Sequence, residues 1–311
     1  QQQDANRLVE AHQAPVSVPL YFHHDILTAL PRSASKPLDV QPNSYKMRAM
    51  ELIDIGCNLT HDSFDSDREK VLELAQQAGV AQMIVTGASD EGSHDALGLA
   101  RQYPGTLFAT AGVHPHHASD FTEETEVRLR KLAAEKEVVA VGETGLDYFR
   151  DFSPRDIQRD VFRRQLSIGA DSGLPLFLHM RDAHEDFHAI LRENRDRLSD
   201  IVVHCFTGNQ QELHDYLDLD CHIGITGWIC DERRGTHMKE FLGDIPADRL
   251  MIETDAPYLK PRNLRPKVKS HRNEPRWLPW ILGTLAAARN EHPEDLARQT
   301  TANARRFFRI F

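Results

Sequence analysis

Eight short apolar, β-branched runs separated by helix-periodic stretches constrain this 311-residue chain more than any other feature. They fall near residues 51–58, 81–87, 107–114, 138–143, 176–180, 201–206, 222–228 and 250–255. A run that is apolar on both faces reads as a strand covered on both sides, the condition of a parallel sheet. Between the runs, stretches such as Arg68–Ala75 and Ile157–Leu166 carry the helical period, and Gly79 and Gly173-Leu174-Pro175 stop helices. Two further helices are expected near 275–289 and 294–308. Such alternation over roughly 260 residues predicts an α/β fold, a (β/α)8 TIM barrel. A doubly wound open sheet satisfies the same alternation and is the alternative.

Residues 1–49 break the pattern. They are rich in Gln, Pro, Ser and His, show no sustained period, and are expected to form a disordered N-terminal extension or leader, with 50–311 as one barrel domain. The stretch lacks the basic start and unbroken apolar run of a secretory signal, and Met47 or Met50 is the expected natural start. A net charge of −10 argues against a generic nucleic-acid coat, because such affinity comes from Lys and Arg displacing counterions. Cys57, Cys205, Cys221 and Cys230 form no Cys-x-x-Cys pair and read as reduced thiols of a cytoplasmic protein. No segment has the ~20 apolar residues that span a bilayer.

In a barrel of this kind the active site forms where the strands end, so residues distant in sequence converge there. Asp54, His114, Glu143, His179, His204 and Asp255 all occupy that position. Singly, each has an ordinary structural explanation; their shared placement points to a site. Oxygen and imidazole ligands suit hard divalent cations, and a carboxylate can bridge two of them. Glu143 is the expected bridge, His179 and His204 complete one metal position, and Asp54 with Asp255 supply the other. Asp255 is also placed to take a proton from a metal-activated water. His116 and His117 are as easily solvated loop residues, and His222 and His237 read as structural.

These residues lie in six motifs that resemble the TatD family of metal-dependent nucleases. They are Asp54-Ile-Gly-Cys-Asn-Leu-Thr60, Ala111-Gly-Val-His-Pro115, Gly142-Glu-Thr-Gly-Leu-Asp147, His179-Met-Arg-Asp-Ala183, His204-Cys-Phe-Thr-Gly208 and Glu253-Thr-Asp-Ala-Pro-Tyr-Leu259. The stretch Ile225–Gly235 is similar to the bacterial TatD branch in particular. The resemblance covers 51–311 and implies a metal-dependent-hydrolase (amidohydrolase-like) TIM barrel. It also implies 3′–5′ exonuclease activity on single-stranded DNA or RNA ends. One departure stands out: Gly56-Cys57-Asn58 replaces the His-x-His that many relatives carry on the first strand. Fewer nitrogen ligands favour Mg2+, with Mn2+ or Zn2+ as alternatives, as one or two ions, and a weakly held metal on the Asp54 side.

Lys260–Arg276 concentrates positive charge in an otherwise acidic chain, at the loop after the eighth run where barrels often bind phosphate. Arg233, Arg234, Arg262 and Arg272 are the expected phosphate contacts, with His114 positioning the phosphate at the reaction centre. Tyr258 and Trp228 are the expected base-stacking rings, and Phe206 is a core residue. Glu143, Asp255 and His114 carry the catalytic roles in this reading. The alternatives are a hydrolase of an aminoacyl-tRNA ester or cyclic amide, and a barrel that only binds.

Overall fold

The computed structural model describes residues 50–311, so the expectation for residues 1–49 lies outside the described residues. Strands β1 (Leu52–Cys57), β2 (Val80–Val85), β3 (Leu107–Ala111), β4 (Val138–Asp147), β5 (Leu176–Arg181), β6 (Ile201–Val203), β7 (His222–Ile225) and β8 (Leu250–Ile252) pair in sequence order, all parallel. The end of β8 returns to β1 through a Cys57–Ala256 bridge, and the Asp255 N–H donates to the Gly56 carbonyl at 2.8 Å. The sheet therefore closes as a (β/α)8 barrel. An order without reversal excludes the doubly wound sheet, which needs a switch point.

Helices α1 (Arg68–Gln77), α2 (Asp90–Gln102), α3 (Glu123–Leu132), α4 (Arg155–Ser172), α5 (His184–Asn194) and α6 (Gln210–Asp218) follow the first six strands. The β7–β8 connection departs from the expected alternation. Short 3-10 turns at Gly227–Cys230, His237–Glu240, Leu242–Asp244 and Ala247–Arg249 stand where a helix was expected. Gly227, Gly235, Gly243 and Pro246 interrupt that stretch, and both residue types disfavour helix interiors. The chain closes with α7 (Leu278–Arg289) and α8 (Pro293–Phe308).

The barrel interior is filled from below. Ile53, Ile55, Phe177, Val202 and Met251 form one buried cluster with Phe307 and Phe308 of α8. Asn303 of the same helix donates to the Leu250 carbonyl at 2.8 Å, and Thr301 donates to the Glu51 carbonyl at 2.8 Å. Because these are strand beginnings, α8 seals that end and leaves the strand ends as the accessible mouth. Among the described residues no helix is long and apolar enough to cross a membrane, and Cys57, Cys205, Cys221 and Cys230 are all free.

His222 opens β7 at the sealed end, with its ring 5.0 Å from that of Phe307. Burial, with Arg249 and Arg306 nearby and Asp200 opposing, lowers its imidazole to about 4. The folded state then binds fewer protons than the unfolded chain between pH 6.5 and 4. Stability is expected to fall by up to ~3 kcal/mol as pH drops through that window. His222→Phe should remove this part of the slope in urea titrations at pH 7 and 4.5; equal slopes for both proteins would count against a neutral buried imidazole.

Candidate active site

β4 continues beyond Glu143 to Asp147, so Glu143 and Asp147 project on the same side at a period of two. Two buried glutamines of α4 fix this extension. Gln158 accepts from the Asp147 N–H at 2.9 Å and donates to the Asp147 and Ser153 carbonyls at 3.2 and 2.8 Å. Gln165, two turns on, accepts from the Val113 N–H at 2.8 Å and donates to the Val113 carbonyl and to Thr144 at 2.9 and 2.6 Å. One helix face thus holds the ends of both β3 and β4. Gly145 is required where β4 meets β5, because a Cβ there would lie 1.9 Å from the His179 carbonyl oxygen.

One oxygen of Glu143 sits where three imidazoles converge. Its Oε1 lies 2.8 Å from His204 Nε2, 3.0 Å from His179 Nδ1 and 3.3 Å from His114 Nε2. Burial alone would raise the Glu143 carboxyl, but His204, His114 and His179 hold it well below the usual range. Among the described residues, His114, Glu143 and His179 form the one group whose ligand atoms all lie within 4.8 Å of one another, close enough to hold a metal ion.

Behind the imidazoles stand two more carboxylates. Asp147 Oδ2 lies 3.3 Å from His179 Nε2 and 2.8 Å from His116 Nε2, while its Oδ1 accepts the Phe149 and Arg150 N–H groups at 3.0 and 2.8 Å. Burial opposes ionisation of Asp147, yet these donors keep it well below the normal carboxylate range. Glu253, fully buried, accepts from the Cys205 N–H at 2.6 Å and faces His204 Nδ1 at 3.3 Å. It lies between Gly56 and Gly224, where added Cβ atoms would come within 2.5 and 2.6 Å of its oxygens. Thus the space beside Gly56 in β1 holds the Glu253 carboxylate.

Asp255 lines the same cavity, of about 550 Å³, together with Asn58, His116, His117, Arg150, Phe152 and Tyr258. Asn58 donates to Asp255 Oδ1 at 3.0 Å, and burial raises the Asp255 carboxyl to about 7. Asp54 is placed differently. Its Oδ1 accepts from the Thr254 N–H at 2.8 Å and the Gly56 N–H at 3.3 Å, and its other oxygen accepts the Thr254 hydroxyl. Asp54 does not line the cavity, and burial raises it to about 8. The expectation that it pairs with Asp255 around a metal therefore meets a carboxyl engaged in the seam between β1 and β8. Asp54→Asn is expected to keep metal affinity within about threefold while costing ~1–3 kcal/mol of stability, because it disturbs buried hydrogen bonds only. Calorimetric metal titration beside thermal melting checks this, and a large loss of affinity would restore Asp54 to the ligand set.

All four expected phosphate-binding arginines are paired with carboxylates. Arg272 makes a two-pronged contact with Asp67 at 2.8 and 2.7 Å and reaches Glu274 at 3.0 Å, so its fork holds the loop to the start of α1. Arg233 and Arg234 meet the buried Asp231 at 3.0 and 2.8 Å, and Arg262 lies 3.5 Å from it and 3.1 Å from Glu232. Their guanidinium groups, Arg233 foremost, keep Asp231 well below the usual carboxylate range. Tyr258 is half exposed on the cavity rim, Trp228 is half-buried, and Phe206 is a core residue as expected.

A family model described as TatD related DNase matches residues 53–309. The chain belongs to that family. Two curated relatives, each called 3′-5′ ssDNA/RNA exonuclease TatD, are similar over the whole barrel. The one from Erwinia tasmaniensis is 49% identical over 259 residues, covering 83% of this chain and 100% of the relative. The one from Cronobacter sakazakii is 50% identical over 257 residues, covering 83% and 97%. Among solved structures, the TatD homologue YjjV of Escherichia coli superposes with a TM-score of 0.76 at 28% identity, covering 84% of this chain and 98% of that one. A TatD family hydrolase from Entamoeba histolytica gives 0.73 at 26% identity, with coverage of 83% and 98%.

In this TatD-family barrel, four residues beside the cluster have no role that their sequence context assigns. Asp147 and Glu253 stand inside motifs, His116 fits a solvated loop as well as a site, and Asn58 occupies a position where many relatives carry histidine. Asp147 had a readable signal, since it stands two strand periods after Glu143. Gln158 and Gln165 had another, as two amides seven residues apart on an otherwise apolar helix face. Glu253 had none, because a glutamate at a strand end is read as a ligand before it is read as a support. His222 and His237 are structural, the latter bonding the Arg234 and Gly208 carbonyls at 3.0 and 3.1 Å.

Proposed function

We propose that residues 50–311 act as a single divalent-metal-dependent 3′–5′ exonuclease domain on single-stranded DNA or RNA, with Mg2+ as the preferred ion. The observation that carries this reading is the pair of imidazoles aimed at Glu143 with carboxylates behind them. Asp147 is an ionised acceptor, so His179 presents N–H at Nε2 and directs Nδ1 inward. Glu253 does the same for His204, taking Nδ1 and directing Nε2 inward. A carboxylate behind a ligating imidazole is the common supporting arrangement of metal sites. Glu143 and His179 of the tight group thus fit a divalent cation as ligands, and His204, whose Nε2 meets the same Glu143 oxygen at 2.8 Å, serves as the third in place of His114, whose inward nitrogen carries a proton. When bound, the ion supplies Lewis-acid polarisation of the phosphodiester and of the attacking water.

The other residues act on the substrate directly. His114 Nδ1 accepts the His116 N–H at 3.1 Å, so its Nε2 carries the proton. Burial lowers this imidazole to about 4, which keeps it neutral at pH 7. A neutral N–H donor at this place suits a phosphate oxygen better than a cation, and phosphate positioning is the role we assign. Asp255, held by Asn58, is placed to take a proton from the attacking water. The names of the relatives support action at strand ends with polarity from the 3′ side. The free thiols support action in a reducing compartment such as the cytoplasm.

The test is a Mg2+ time course on a 5′-labelled single-stranded oligonucleotide, with chelator and Glu143→Ala as controls. A ladder shrinking from the 3′ end and lost in both controls is the expected result. An uncut oligonucleotide in every lane would transfer the reading to an ester or amide hydrolase of the same barrel.

A further inference from the structure

Guanidinium and aromatic groups alternate in a row that starts at Arg150, on the lining of the cavity. Arg150 Cζ lies 5.5 Å from the Phe149 ring centroid, and Arg181 Cζ lies 5.1 Å from Phe149 and 4.9 Å from Trp228. Arg234 Cζ is 4.1 Å from Trp228. The order is therefore Arg150, Phe149, Arg181, Trp228, Arg234. Three separate elements build it: the loop between β4 and α4, the end of β5 and the turns after β7. Convergence of three elements on one alternating row is not set by local sequence.

Core packing accounts for Trp228, which rests partly buried against the main apolar cluster, but not for Phe149. Phe149 is 57% exposed and lies outside both apolar clusters. Among the described residues, no ion pair or side-chain hydrogen bond engages the Arg150 guanidinium, whereas Arg181 donates to Thr207 at 3.1 Å and Arg234 to Asp231 at 2.8 Å. Arg150 also lines the cavity that holds Glu143 and His179, so one end of the row opens into the reaction centre. Asp147 ties the two together, since the carboxylate that faces His179 also accepts the Phe149 and Arg150 N–H groups.

We propose that this row is the track for the single strand upstream of the terminal phosphodiester, with bases stacking on Phe149 and Trp228 and phosphates meeting Arg150 and Arg181. The proposal rests on the nuclease reading above and adds residues to it that neither the basic loop nor the metal cluster contains. Flat rings flanked by cations bind unpaired nucleotides of any sequence, because every base has a π face and the phosphates lie beside it. A duplex hides those faces in its own stack. The track therefore selects a frayed or single-stranded end with little regard to sequence.

Fluorescence anisotropy in chelator, where cleavage stops, measures the affinity of labelled oligothymidylates from two to six nucleotides long. Wild type is expected to gain about tenfold or more in affinity over that range, and Phe149→Ala with Arg150→Ala to lose most of the gain. Phe149→Trp should keep it, since any flat ring can stack. In Mg2+, KM for the hexamer should rise in the double variant far more than kcat falls, a split that general damage to the barrel would not produce. A wild type that cuts DNA but keeps the same length gain after both substitutions overturns the track alone. A wild type that neither binds nor cuts any oligonucleotide overturns the nuclease reading and the track with it.

Discussion

Glu143→Gln is expected to lower kcat on a single-stranded oligonucleotide by on the order of 10³-fold and to abolish tight metal binding, while the barrel stays folded. The substitution keeps the shape of the side chain and removes the charge toward which His114, His179 and His204 all point. An amide there offers an incoming cation one neutral oxygen in place of the carboxylate, or turns its N–H2 toward the inward nitrogens of His179 and His204 and ties up their lone pairs. Loss of activity with an unchanged melting curve and no heat of Mn2+ binding is the anticipated pattern. Unaltered metal affinity in the variant would mean that the ion is held elsewhere in the cavity, with Asp255 as the next carboxylate to test.

Asp147→Asn and Glu253→Gln are each expected to weaken metal affinity by ~10–100-fold without touching the ion, the usual effect of removing a supporting carboxylate. The two differ in their secondary consequences. Asp147 also accepts two backbone N–H groups of the Phe149–Arg150 loop, so its amide variant should loosen oligonucleotide binding as well. Glu253 faces only the interior, between Gly56 and Gly224, so its variant should affect the metal and the stability of the barrel and leave the affinity for DNA in chelator near that of wild type. Equal loss of DNA binding in both variants would dissolve that division of labour.

The fold was legible because its signal repeats. Apolar strands such as Val138–Val141 and Val202–Val203 recur between amphipathic helices, and the β7–β8 connection was misread only where glycine and proline replace the helical period with 3-10 turns. At the site, the residues of the central cluster announced themselves by standing at strand ends. What sequence does not carry is the direction of a side chain that makes two choices at once. Asp54 ends no strand; it lies within β1, where burial and the adjacent Thr254 draw its carboxyl into the barrel seam. Arg272 stands in the most basic stretch of the chain, but Asp67, far away in sequence, claims both prongs of its guanidinium. Charge composition locates a basic loop and says nothing of which cations are already neutralised. Arg150 was passed over for the mirror-image reason, since a single arginine between Phe149 and Asp151 carries no compositional weight.

The gathering of Arg233, Arg234 and Arg262 around Asp231 bears on how the protein would meet a polyanion. Three guanidinium groups share the carboxylates of Asp231 and Glu232, so only about one of their three charges is left to displace condensed counterions, and they add little to the part of binding that ionic strength controls. With an overall charge of −10, the protein has little long-range pull on duplex DNA, whose phosphates would repel most of its surface. Affinity carried by ring stacking has short range and tolerates salt. A nuclease so built would leave intact chromosomes alone by electrostatic indifference and engage a strand only once its bases are unpaired.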